Sequence, residues 1–315
     1  MNIDSVLLKH EERISFALRA LYHSRGYQPY RMSKFEEYEL YVKNKDFLLS
    51  PEVITFTDTN GKLMALKPDV TLSIVRASRP APGAVQKLYY DENVYRVSET
   101  SRCFREIRQA GLECLGALDA RCIDEVLVLA LESLRLIAED SRLCVSLPGI
   151  VEELLDGAGL AGDARRAVLR CMGEKNVHEL GAVCAEAGLP AADTARLRRL
   201  TLCSAAPRDA LPELRAIGCS EAALDEAARL ADGLPPEAAG RVCLDFSVLG
   251  DMRYYSDIAF QGYVRGVPSS VLSGGCYDRL LSRMGREGRA IGFACYLDKL
   301  ERVQTPGESG VNGHA

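Results

Sequence analysis

The sequence predicts an α+β fold: an antiparallel sheet flanked by helices, with an inserted helical domain. Three observations predict it. Strand-like stretches succeed one another through hairpin-type connections, with few strand–helix–strand units. Residues 149–239 are rich in Ala, Leu, Glu and Arg, and Gly and Pro break them into helix-length pieces. Strand signals then resume, so the helical block reads as an insertion into one sheet domain. A chain of 315 residues is long enough to bury a sizeable core.

The elements follow in order. Residues 11–25 read as a helix, because Ile14, Ala17, Leu18 and Leu21 repeat at helical spacing and Gly26 ends the run. Tyr27 to Tyr41 is aromatic-rich and punctuated by Pro29. Residues 53–66, VITFTDTNGKLMAL, place Asn60-Gly61 between two β-forming runs. That pair predicts a two-residue hairpin turn with both central residues at positive φ. Lys67-Pro68 stops the second strand, and residues 69–78 read as a short helix opening at Asp69. Residues 86–97 and 104–116 carry strand-like stretches joined by the polar loop Ser98 to Cys103. A strongly apolar helix spans 123–138, and 142–148 returns to strand.

After the insertion, strands are expected at 241–249, 257–264 and 269–273, a helix at 277–286, and a strand–helix pair over 290–302. The domain reading is therefore a first core part at 1–148, the insertion, a second core part at 240–303, and a disordered tail at 304–315.

Composition narrows the function classes. The chain is 47% hydrophobic and 26% charged, ordinary for a soluble globular protein. A net charge of −5 argues against a nucleic-acid partner, which needs a concentrated basic face. No apolar run reaches the roughly 18–20 residues of a membrane span. The N-terminus lacks the basic-then-apolar order of a secretion signal, so a cytoplasmic location is expected. The 11 cysteines contain no CxxC pair and read as reduced, mostly buried thiols. His10, His23, His178 and His314 cluster neither with one another nor with any cysteine, so a histidine-based metal site or triad is not expected. No cofactor is expected.

Four separated segments carry a resemblance: LMALKPDVTLSIVRA (63–77), VYRVSETSRCFREIRQAGLECLG (94–116), GDMRYYSDIAFQGYV (250–264), and the stretch from SGGCYDRLL to IGFACYLDKL (273–300). In order, they resemble the LRPE/D-x-T segment, motif 2 with its Q-x-G-x-E strand, the histidine-specific RGxxYYTGxxFE segment, and GGRYDxL plus motif 3 of class II aminoacyl-tRNA synthetases of the histidyl type. The resemblance covers nearly the whole chain. It implies a class II aminoacyl-tRNA synthetase-like antiparallel six-stranded sheet and a dimer. Motif 1 departs from the pattern, since Ser33 stands where the family usually has proline.

A pocket specific for histidine must pair an ammonium, a carboxylate and an imidazole, because an unpaired buried polar group costs about 1–3 kcal/mol. The resemblance places Asp69 and Thr71 at the amino group, with Gln109 sharing that work. It places Arg96 at the carboxylate, through a charge-assisted hydrogen bond. It places Glu113, on the same strand face as Gln109, at the imidazole N–H. Tyr254 and Tyr255 supply an aromatic wall and a hydroxyl. Each also has a plain structural reading. Asp69 after Lys-Pro suits a helix cap. Arg96 and Glu113 suit a cross-strand ion pair. Adjacent tyrosines on a strand point to opposite faces, so only one can face the pocket.

The nucleotide grip is thinner. Against the family's pattern, Gly250 stands at the histidine-specific arginine, with Asp251 after it. Arg253 reads as a solvated charge. Cys276 replaces the arginine of GGRYD, and Lys299 replaces the motif 3 arginine, whose planar fork lysine cannot reproduce. The family's anticodon-binding domain after motif 3 is not expected here. The combination resembles the regulatory subunits of ATP phosphoribosyltransferase. That resemblance implies no catalytic residue, histidine as ligand, and a hetero-oligomer with a short-form catalytic subunit, containing a dimer of this chain. The acidic charge balance and the lack of a long apolar run point to neither a nucleic-acid nor a membrane partner. A divergent or truncated synthetase that still activates an amino acid and an RNA-binding pseudo-synthetase are the two alternatives. The arginines of the insertion read as a solvated helical surface.

Overall fold

The computed structural model describes residues 8–44, 48, 52–98, 101–238, 240–249 and 255–302. The expected tail at 304–315 and the segment from Gly250 to Tyr254 lie outside the described residues.

Six strands form an uninterrupted antiparallel sheet. They are β5 (Val85–Val97), β6 (Phe104–Gly116), β12 (Arg289–Tyr296), β11 (Leu272–Cys276), β10 (Ala259–Val264) and β7 (Ser141–Ser146), in that spatial order. The edges extend this unit. β1 (Gln28–Pro29) pairs parallel with β5, and β9 (Val242–Asp245) pairs parallel with β7. β8 (Ser204–Ala205) closes the far edge against β9. A second sheet of three strands is formed by β2 (Phe35–Glu37), β4 (Leu63–Leu66) and β3 (Thr55–Thr57).

The pleat of β6 explains how the sheet divides the molecule, because successive side chains face opposite ways. Ala110, Leu112 and Cys114 point into the larger core with α1 (His10–Ser24) and α4 (Ala120–Ile137). Leu115 points to the other side. There a smaller core holds Leu72, Ile74 and Val75 of α3 (Thr71–Ala77), Leu280 and Leu281 of α11 (Asp278–Arg283), and Tyr41 of α2 (Tyr38–Lys43). Glu113 shares the face of Leu115, so a carboxylate is directed at the smaller core.

α4 shows why these elements form. Asp119 caps it by accepting from the Cys122 N–H at 3.0 Å. Leu127, Leu131 and Leu134 then recur on one face and are buried. Each contributes about 1.5–3 kcal/mol relative to exposure. Glu36 ties the small sheet to α3. It accepts from Tyr41 Oη at 2.7 Å, Ser73 Oγ at 2.6 Å and Arg76 Nη2 at 2.7 Å. Ser33 takes a local role, its Oγ accepting from the Phe35 N–H at 3.1 Å.

Helices α5 (Pro148–Gly157), α6 (Gly162–Gly173), α7 (Val177–Glu186), α8 (Ala191–Leu202), α9 (Pro207–Ile217) and α10 (Glu221–Gly233) fill the segment between β7 and β9. Their apolar residues, among them Leu154, Val168, Leu197 and Leu214, join the same continuous cluster as the main sheet. β8, lying within this segment, adds to that sheet.

Two local expectations are corrected. The β3–β4 hairpin is not closed by a two-residue turn at Asn60-Gly61. The register pairs Thr57 with Leu63, leaving residues 58–62 as the loop. Only Gly61 takes positive φ, at 78°. Asp58 organises the loop instead: its Oδ1 accepts from the Asn60 N–H at 2.8 Å and the Lys62 N–H at 2.9 Å. The second correction is at the end of the last strand, where the chain closes in a 3-10 turn over Leu297–Arg302 rather than an α-helix.

Candidate functional site

The site lies on the sheet face that looks toward α3, where β6, β12 and β11 run side by side. In register, Glu113 faces Gly292 of β12, and Gly292 faces Gly275 of β11. These glycines are needed because side chains lie over the backbone. A Cβ at Gly292 would fall 1.7 Å from Glu113 Oε2, and one at Gly275 would fall 2.4 Å from the Tyr255 ring. The glycines thus floor a cleft whose walls are polar.

Glu113 is its centre. The residue is 2% exposed. Thr71 Oγ1, in the first turn of α3, donates to Oε1 at 2.7 Å, and Tyr277 Oη donates to Oε2 at 2.5 Å. Burial pushes the Glu113 carboxyl up to about 8, and the negative charge of Asp69 adds to the rise. The two hydroxyl bonds, Tyr277's first, pull the other way.

Asp69 is buried just before α3, and its Oδ1 accepts from the Leu72 N–H at 2.8 Å. The helix-cap reading therefore describes one of its oxygens. Burial raises its carboxyl, while the Leu72 N–H and the positive charge of Arg96 oppose the rise. Arg96 projects from β5 opposite Arg105 and donates from Nε to Pro68 O at 3.0 Å. It is not ion-paired to Glu113; the groups beside it are Pro68, Asp69 and Tyr296. Gln109 is buried on the Glu113 face of β6, with Glu92 and Tyr296 as its register neighbours.

Tyr255 is half-buried over Gly275, and burial raises its phenol, with Tyr296, Glu113 and Asp69 adding to the rise. Tyr254 lies outside the described residues. The structure thus brings Asp69, Thr71, Arg96, Gln109, Glu113 and Tyr255 to one face and one neighbourhood.

Sequence reasoning missed three members. Tyr277 is the second hydroxyl on Glu113. Tyr296 and Ser273 share a hydroxyl–hydroxyl bond of 2.6 Å on the same face. Ser273 and Tyr277 stand inside the SGGCYD segment and Tyr296 inside IGFACYLDKL, so those segments could have nominated all three.

Two of the substituted cation positions, Lys299 and Cys276, lie within the described residues. Lys299 donates to Ser270 O at 2.7 Å, and its Nζ sits 4.5 Å from the centroid of the Tyr296 ring. Burial lowers its ammonium. Cys276 faces the larger core, on the opposite side of the sheet from Glu113, where burial raises its thiol. Cys276 supplies no positive group, while the Lys299 ammonium stands at the Tyr296 edge of the site, where the charge of Arg96 opposes it and a carbonyl and an aromatic face hold it. Among the described residues no group of three His, Cys, Asp or Glu side chains is placed to hold a metal ion. All 11 cysteines are free, and all but Cys103 and Cys122 are buried. No helix among the described residues is long and apolar enough to cross a membrane.

Comparison with known proteins identifies the fold and the family. The histidyl-tRNA synthetase family model matches residues 6–300. The chain is 30% identical over 290 residues to the ATP phosphoribosyltransferase regulatory subunit of Moorella thermoacetica, covering 89% of this chain and 74% of that protein. To the protein of the same description from Oceanobacillus iheyensis it is 25% identical over 294 residues, covering 91% and 72%. A solved structure from Bacillus halodurans, described as an ATP phosphoribosyltransferase regulatory subunit/histidyl-tRNA synthetase, superposes with a TM-score of 0.81 at 26% identity, covering 94% of this chain and 79% of that one. The likeness to a chain of the ATP phosphoribosyl transferase complex from Thermotoga maritima, TM-score 0.70 at 18% identity over 91% and 97%, is one of fold. A histidyl-tRNA synthetase-type core, with a polar sheet face built over glycines, is the class that fold and site define. Within that class, the chain belongs to the family of ATP phosphoribosyltransferase regulatory subunits, and its role is regulatory rather than catalytic.

Proposed function

We propose that this chain is the histidine-sensing subunit of ATP phosphoribosyltransferase and that the Glu113 cleft is its sensor. It joins a short-form catalytic subunit in a hetero-oligomer in the cytoplasm, self-associating as a dimer within it. The chain is required there for full activity, and it carries the feedback inhibition by histidine. The observation that carries the sensor reading is the Glu113 carboxyl group, held by two hydroxyls over Gly292 with Asp69 and Arg96 alongside. That set offers a partner to each polar end of histidine. Asp69, Thr71 and Gln109 take the ammonium, Arg96 the carboxylate, and Glu113 with a tyrosine hydroxyl the imidazole. The Lys299 ammonium is occupied by a backbone carbonyl and an aromatic face, which leaves the cleft poor in the cations that a reacting triphosphate needs.

Inhibition requires that histidine bind two states of the assembly with unequal affinity. The test has two arms. Calorimetric titration with histidine shows saturable binding by the wild type and weakened binding by Glu113→Ala. Addition of the chain to a short-form catalytic subunit raises turnover, and histidine suppresses the gain. Histidine-dependent pyrophosphate exchange with ATP by the purified chain would replace this reading with that of an enzyme.

A further inference from the structure

A second pocket, of about 430 Å³, opens where β5 begins, β6 ends and β12 begins, between residues 78–84 and the turn 284–288. None of the residues named at the Glu113 site lines it. Its volume falls in the range of small-molecule sites.

Two guanidinium groups meet there. Arg79 donates from Nη1 to Arg76 O at 2.6 Å and to Ser78 O at 2.8 Å. Arg286 donates to the same two oxygens, from Nη2 to Arg76 O at 2.8 Å and from Nη1 to Ser78 O. Two donors on one oxygen must themselves be near neighbours, so two like charges are held together. The carbonyls at the C-terminal end of α3 favour cations there, but they carry only partial charge. Among the described residues neither arginine has a carboxylate within ion-pair distance. Glu287 lines the same pocket and sets one negative charge against the two positive ones.

An independent observation points the same way. Ser78 lines the pocket, is 4% exposed, and its Oγ has no hydrogen-bond partner among the described residues. A buried hydroxyl without a partner is an unusual feature that a ligand oxygen would remove. Val75, Leu115 and Leu281 supply an apolar wall beside these polar groups.

We infer that this pocket binds a small anion bearing a phosphate group, with Arg79 and Arg286 pairing its charge, Ser78 Oγ donating to an oxygen, and the apolar wall taking its organic part. Guanidinium suits this work because its planar fork matches tetrahedral oxyanions. Donors left over on both arginines, Nε of Arg286 and Nη2 of Arg79 among them, are not engaged by the α3 carbonyls.

The experiment is calorimetric titration of the full chain with inorganic pyrophosphate, ADP and adenosine. Pyrophosphate and ADP are expected to bind saturably, and adenosine is not. Tighter binding of ADP than of pyrophosphate identifies an organic phosphate as the better occupant. The reverse order identifies the inorganic anion. Arg286→Gln is expected to weaken pyrophosphate roughly tenfold or more, the loss of one charge-assisted contact. Ser78→Ala removes a hydroxyl that bonds nothing else and is expected to weaken it about threefold to fivefold. Both variants should keep the wild-type histidine affinity, and Arg96→Gln, in the other cleft, should keep the wild-type pyrophosphate affinity. No pyrophosphate binding up to about 10 mM, equal binding by wild type and Ser78→Ala, or loss of binding in Arg96→Gln would each overturn the assignment. Ser78→Ala decides the matter even where Arg286→Gln fails to fold.

Discussion

Glu113→Gln is the substitution that separates the sensor reading from a merely structural carboxylate. The side chain is 2% exposed and its two oxygens accept from Thr71 and Tyr277. Glutamine keeps the volume and one acceptor oxygen but replaces the other with a donor, which meets a hydroxyl that now has to turn. Two effects follow. Loss of a charge-assisted bond to the imidazole costs about 1.5–3 kcal/mol, a fall in histidine affinity of about tenfold to a hundredfold.

The second effect is on stability without ligand. The Glu113 carboxyl is pushed up to about 8 in the folded chain, from an ordinary value of 4.5. The folded state therefore holds a proton that the unfolded state has released. Its stabilising contribution is complete below about pH 4.5 and is lost as the pH rises to about 8, with a slope approaching 1.4 kcal/mol per pH unit at most. Denaturant unfolding of wild type and variant at several pH values between about 5 and 9 measures this. The wild type should lose stability relative to Glu113→Gln across that window and run parallel to it above. Parallel curves throughout, together with equal histidine titrations, would refute both the environment and the role assigned to Glu113.

Three further substitutions test the surroundings. Tyr277→Phe removes the hydroxyl that holds Glu113 Oε2 and is expected to weaken histidine severalfold by calorimetry while raising the Glu113 carboxyl further. Gly292→Ala puts a Cβ where Glu113 Oε2 now lies. It should cost about 1–3 kcal/mol of stability, a melting temperature lower by a few degrees, and abolish detectable histidine binding. Lys67→Met strips the partner from Glu92 at a lysine that is 1% exposed, and an expected loss of about 3–5 kcal/mol should appear as a lower denaturation midpoint.

The legibility of these features in the sequence follows their range. β5 and β6 could be read because their constraint is local: each alternates between a core-facing and a cleft-facing set, and Gln109 and Glu113 fall two pleats apart on one face. The expectation of a six-stranded antiparallel sheet was carried by the resemblance of four segments, and it gave no strand order. The residues not foreseen depend on contacts far along the chain. Tyr277 reaches Glu113 across 164 positions, and locally it is one aromatic after a strand. The need for glycine at 292 arises only once β12 lies beside β6. The β3–β4 turn went to Asp58 rather than Asn60-Gly61 because one side-chain oxygen there satisfies two backbone donors at once. A strong two-residue signal thus lost to a competing hydrogen-bond pattern.

The raised Glu113 carboxyl also makes histidine binding proton-linked, with a sign fixed by the two groups that meet. A free imidazole titrates near 6.5, and Glu113 in the empty cleft titrates at about 8. Between those values the ligand brings no proton and the protein brings one. The buried pair then holds one proton between them, and binding proceeds with little net exchange. Above about 8 both partners arrive without it, so the same complex forms only by taking up a proton, and affinity falls by as much as tenfold per pH unit. Below about 6.5 both arrive protonated and one proton must leave, so affinity falls again. In Glu113→Gln the alkaline fall attributable to this group disappears, while the acidic fall, which belongs to the ligand, remains. Comparing the two proteins cancels the titration of the ligand's own amino group. Calorimetry in two buffers of different ionisation enthalpy counts the protons directly. Uptake above pH 8 that persists unchanged in Glu113→Gln would place the proton on some other group and remove Glu113 from contact with the imidazole.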